Sequence, residues 1–130
     1  MKKITIMDKY PAVTLTVQKD ETTYTNVDEV LEYLKKRIEL HPIAAYIGVF
    51  DHYAHTSSLE VGEIAEEILD AKNIICCFGK VLPQPEFLAV RPRAIGVAEM
   101  KKSFVISFME APNPEAHAAM EDWVKGVINK

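Results

Sequence analysis

The chain has 130 residues and a formal net charge of −4, with 48% hydrophobic and 26% charged residues. Such a balance is that of an ordinary globular protein, and the length suits one domain burying roughly two thirds of its unfolded surface. Net acidity without a long basic run argues against a nucleic-acid partner, and no stretch approaches the roughly 18 apolar residues of a membrane span.

Residues 3–7 and 11–17 read as strands interrupted at Tyr10-Pro11. In the second, Val13, Leu15 and Val17 alternate with Thr14 and Thr16, the pattern of a half-buried strand. Asn26, followed three residues later by Glu29, predicts a capped helix start. Val27, Val30, Leu31, Leu34 and Ile38 then share one helical face, and Pro42 stops the helix. Residues 44–50 are apolar on both faces and predict a central strand.

Residues 52–71 read as helical, divided by Gly62, with a second capping pattern at Ser57-Ser58-Leu59-Glu60. Residues 73–79 predict a buried strand, and the Pro83-Gln84-Pro85 loop leads into a short helix ended by Pro92. Residues 94–100 and 103–110 make a β-hairpin about Lys101-Lys102. Ala94, Gly96 and Ala98 give its first strand a face of small side chains, suited to close helix packing or to the floor of a ligand cavity. Asn113-Pro114-Glu115 starts a last helix with Met120, Trp123 and Val127 on its apolar side. The expected fold is one α+β domain over residues 1–130, ordered ββαβαβαββα, with a mainly antiparallel sheet packed by two to three helices.

Cys76 and Cys77 are adjacent, so in a strand they point to opposite faces. Flanked by Ile75 and Phe78 they read as small buried hydrophobes. Met1-Lys2-Lys3 precede no apolar region of signal-peptide length, which with reduced thiols predicts a cytoplasmic protein.

The candidate chemistry lies in Asp51-His52-Tyr53-Ala54-His55, directly after the apolar run. At a helix start Asp51, His52 and His55 fall within about 100° of one another. Two imidazoles and a carboxylate suit a divalent metal, and a histidine oriented by Asp51 suits general-base work. The same residues also fit a plain helix cap with histidines in local hydrogen bonds. No nucleophile elbow or phosphate loop accompanies them, so enzymatic activity stays open. Arg91-Pro92-Arg93 offers two guanidinium groups for a carboxylate or phosphate, or for nearby Glu86 or Glu99.

Phe50-Asp51-His52, then Ile75-Cys76-Cys77-Phe78-Gly79, Leu88-Ala89, residues 95–99 and 104–108, and Ala111-Pro112 together resemble the DUF302 family of small bacterial proteins. The resemblance spans most of residues 14–112. It departs where Lys80-Val81 replaces the Asn-Pro that usually follows Phe-Gly, with proline delayed to Pro83, so a distinct relative also fits. It implies a compact α+β fold, often dimeric, with no established reaction. The expectation is therefore a homodimer binding a small, anionic molecule in a pocket framed by Asp51, His52, His55, Arg91 and Arg93. A metal-dependent or redox enzyme using Asp51, His52 and His55 is one alternative, and a protein-interaction module using the sheet face or last helix is another.

Overall fold

Alternating apolar residues and a tight turn build the first hairpin. In the computed structural model, which describes residues 1–130, β1 (Lys2–Ile6) reverses at Met7 and Asp8 into β2 (Tyr10–Gln18). Met7 and Asp8 take φ of 54° and 57°, and the Lys9 amide donates to the Ile6 carbonyl at 3.1 Å. Two left-handed central residues match the right-handed twist of the paired strands.

The remaining elements are α1 (Val27–Leu40), β3 (Ala45–Phe50), α2 (His52–Ser58), β4 (Asp70–Cys77), β5 (Arg93–Glu99), β6 (Ser103–Met109) and α3 (Pro114–Lys125). A 3-10 turn spans Pro85–Val90. All strand pairs are antiparallel, in the order β1-β2-β6-β5-β4-β3. The fold is the expected α+β arrangement in the expected order. No helix is long and apolar enough to cross a membrane.

Register separates the two faces of the sheet. Val13, Leu15 and Val17 lie opposite Phe108, Ile106 and Phe104, and Ile74 lies opposite Ile95. All are buried beneath α1 and α3 in one hydrophobic cluster. Asn26 caps α1 by accepting from the Glu29 amide at 2.9 Å, which aims Val30, Leu34 and Ile38 into that cluster. The other face carries Thr14, Ser107, Gly96 and Asn73 in one cross-strand row. These side chains are small or polar, so this face is not built to bury a helix along its length.

Two sequence expectations fail. The run at 44–50 is not central: β3 is the outermost strand, with Ile47 at 55% and Phe50 at 42% exposure. Tyr46 and Val49 border a recess beside α1, so apolar character on both faces here does not mean burial on both. The helix expected over residues 52–71 stops at Ser58. The Ser57 and Ser58 hydroxyls donate to the Ala54 and His55 carbonyls, competing with helix continuation instead of capping a new one. An irregular segment follows, and the Leu69 amide rejoins the sheet through the Glu99 carbonyl at 2.8 Å.

Candidate functional site

The end of β3 sets the position of the Asp51–His55 segment. Asp51 Oδ1 accepts from the Ala54 amide at 2.9 Å, making Asp51 the N-cap of α2. Its Oδ2 lies 3.8 Å from the Lys72 ammonium, which donates to Asp28 at 2.7 Å. The hydrogen bond from Lys72 to Asp28 raises the lysine pKa above its ordinary value, against a smaller desolvation effect. His52 Nδ1 sits 3.2 Å from the Thr56 hydroxyl one helical turn on. The Phe50 ring packs against both imidazoles, at 5.6 Å from His52 and 5.5 Å from His55.

These side chains do not assemble the metal set that their spacing suggested. No three His, Cys, Asp or Glu groups gather as ligands anywhere in the chain; Asp51 is turned back onto its own helix and His52 meets Thr56. The other two histidines are engaged elsewhere. His41 Nδ1 accepts from the Ile43 and Ala44 amides at 3.1 Å each. His117 accepts from the Ala111 amide and meets Glu121 at 2.8 Å.

His52 does line a cavity of about 320 Å³ on the face of the sheet away from α1 and α3. Its floor is Ala71, Asn73, Gly96, Ala98 and Ser107, so the small face of β5 floors a cavity. A Cβ added at Gly96 would stand 3.3 Å from Asn73 Nδ2 and 3.8 Å from Ser107 Oγ, placing the amide and hydroxyl together over that glycine. His52, Tyr53 and Thr56 of α2 form one wall; Glu63, Ile64 and Ile68 of the irregular segment form another. A smaller cavity of about 210 Å³ shares Asn73, Gly96 and Ser107 and runs on towards Ile6 and Met109, prolonging the trough across the sheet.

Arg91 and Arg93 lie elsewhere. Phe50 pairs with Asn73 while Arg93 pairs with Cys76, about 10 Å further along β4 at the usual strand rise. Arg93 also shares the face of Cys76, on the helix side of the sheet. The single pocket expected from Asp51, His52, His55, Arg91 and Arg93 is thus divided in two by the sheet itself.

The Arg93 guanidinium donates to the Met109, Glu110 and Val90 carbonyls at 2.7, 3.2 and 3.4 Å. Burial lowers its pKa, and its Nε has no partner. Cys76 is fully buried, and desolvation pushes its thiol up to about 11. Both arginines border a second cavity of about 310 Å³, walled by Phe78, Phe87 and Val90 on one side and by Pro112 and Ala116 on the other.

Sequence reasoning missed Asn73, Thr56, Ser107 and Glu63. The available signal was a polar residue inside an apolar strand run: Asn73 before Ile74-Ile75, and Ser107 between Ile106 and Phe108. Alternation gives the face of each, but only register shows that they meet over Gly96.

No curated protein matches the chain. Among solved structures it is similar to the crystal structure of an uncharacterized conserved protein, DUF302, from Bacillus stearothermophilus. The TM-score is 0.57 at 14% identity, covering 91% of this chain and 95% of that one, a likeness of fold. A model described as "Family of unknown function (DUF6858)" matches residues 1–129, and the chain belongs to that family.

Proposed function

We propose that this protein is a non-catalytic binding domain for a small polar molecule, held between α2 and the small-residue floor of β5 and β6, and that it works as a homodimer. The observation that carries the reading is the convergence of His52, Thr56, Asn73 and Ser107 on one cavity of about 320 Å³, within the range of small-molecule sites. These four hydrogen-bonding groups, with Glu63 and Lys72 also in the lining, suit a ligand recognised by its donors and acceptors. Catalysis is not favoured by the geometry, since the His52 ring meets a hydroxyl of its own helix and Asp51 does not orient it.

The dimer rests on β3. Residues 45–50 contain no charged side chain and leave Ile47, Val49 and Phe50 exposed, whereas the opposite edge strand begins with Lys2 and Lys3. Lysines guard an edge against pairing, and an apolar uncharged edge invites it.

A test of the binding reading is a thermal-shift screen of polar metabolites against the wild type and Ala98→Leu. Leucine at 98 fills the floor while leaving the helix-side core untouched. Ligands are expected to raise the wild-type melting temperature and to leave the variant unmoved. Equal stabilisation of both proteins sinks the assignment to this cavity.

A further inference from the structure

We propose a second, independent ligand site on the helix side of the sheet, at the cavity between Arg91, Arg93 and the start of α3, which takes an amphipathic organic carboxylate. Charge makes the first argument. The cavity has two guanidinium groups in its lining and no aspartate or glutamate. Neither arginine forms an ion pair: the acidic groups near in sequence, Glu86, Glu110 and Glu115, lie outside the lining, and the salt bridges of the chain involve other residues. Two cations sharing an apolar recess without a counter-charge favour an anion there.

The two arginines have different parts. Arg93 is spent on three backbone carbonyls at the ends of β6 and the 3-10 turn, so it supplies positive field and fixes the wall. Arg91 has its planar fork free. It lies over the Phe87 ring, with the guanidinium carbon 5.8 Å from the centroid, and crosses Gly79 so closely that an added Cβ would meet its Nη1 at 3.2 Å. A preorganised fork suits a bidentate carboxylate. The start of α3 adds its dipole and the Asn113 side-chain N–H groups, while Asn113 Oδ1 already accepts from the Glu115 and Ala116 amides and Pro114 has no amide to give.

The rest of the lining sets the ligand's body. Phe78, Phe87, Val90, Pro112 and Ala116 are apolar and offer nothing to the oxygens of a phosphate or a second charge. One free fork beside an apolar recess fits one carboxylate on a hydrocarbon chain or ring.

The experiment is isothermal titration with octanoate, 1-octanol and inorganic phosphate, on the wild type, Arg91→Gln and Ala98→Leu, with circular dichroism to check folding. Octanoate is expected to bind the wild type saturably, and the alcohol and phosphate at least about tenfold more weakly, the scale of one lost charge-assisted contact. Arg91→Gln should bring octanoate to the level of octanol, and Ala98→Leu should leave it unchanged. Should Arg91→Gln fail to fold, Arg91→Lys, which keeps the charge but removes the planar fork, takes its place and should also weaken octanoate binding. The proposal is overturned by no saturable octanoate binding, by octanol or phosphate binding as well as octanoate, by full affinity in the arginine variant, or by loss in Ala98→Leu. Failure of the open-face cavity in its own screen leaves these outcomes unaffected.

Discussion

The Tyr33 hydroxyl donates to the Trp123 carbonyl at 2.7 Å, joining α1 to the last turn of α3 directly over Gly126. A Cβ at Gly126 would sit 2.0 Å from that hydroxyl oxygen and 3.0 Å from the ring carbon bearing it. The glycine is therefore required by a close approach, not by its backbone angles, since its φ is −69°.

Tyr33→Phe should lower stability by about 1 kcal/mol, the net worth of one hydrogen bond. Gly126→Ala should cost more, on the order of 2 kcal/mol, because the methyl group expels the hydroxyl and strains its surroundings. In the Tyr33→Phe background the alanine should cost less than in the wild type, since the nearest clash is gone. Urea unfolding of the four proteins of the cycle measures this coupling, and strict additivity would falsify the contact.

The Cys76 thiol gives a pH dependence of definite sign. Its pKa is raised from 9.0 to about 11, chiefly by burial and secondarily by Cys77, with Arg93 opposing. A raised folded-state pKa contributes stability that is fully present below pH 9.0 and is lost as pH climbs through about 11. The gap in unfolding free energy between wild type and Cys76→Ala should shrink by on the order of 2 kcal/mol across that window. Tyr33, whose burial also raises its pKa, is present in both proteins and cancels in the difference. A pH-independent gap would mean that the thiol titrates as it does in the unfolded chain.

Edge pairing through β3 predicts a dimer of the wild type by light scattering after size exclusion. Ile47 is 55% exposed, so Ile47→Lys should leave the fold intact and yield a monomer, lysine being the usual guard of an open edge. A wild type that is monomeric at high micromolar concentration ends the dimer reading.

Much of this architecture is legible in the sequence because periodicity reports burial. Val13, Leu15 and Val17 alternate as they should, and Val30, Leu34 and Ile38 recur at helical spacing; both patterns mark faces that do enter the core. The apolar residues of β3 mislead because the same composition suits a strand inside a sheet and one that exposes its edge. Residues 59–69 mislead because Ile64 and Ile68 at helical spacing also suit a cavity wall, where neither needs a helix. The site was half legible. Reactive side chains at strand ends were visible as candidates, but their separation by the sheet depends on the pairing of Asn73 with Gly96 and of Cys76 with Arg93. Local sequence carries no term for such register.

The stack of Trp123 on Phe78, 5.5 Å apart and tilted by 17°, gives the molecule a built-in optical reporter. Trp123 is the sole indole of the chain and is 3% exposed, while its stacking partner forms a wall of the arginine-lined cavity. Its fluorescence therefore belongs to a single known environment. Any event that moves Phe78 changes the surroundings of the fluorophore, and unfolding exposes it to water, so both are observable on the unlabelled protein.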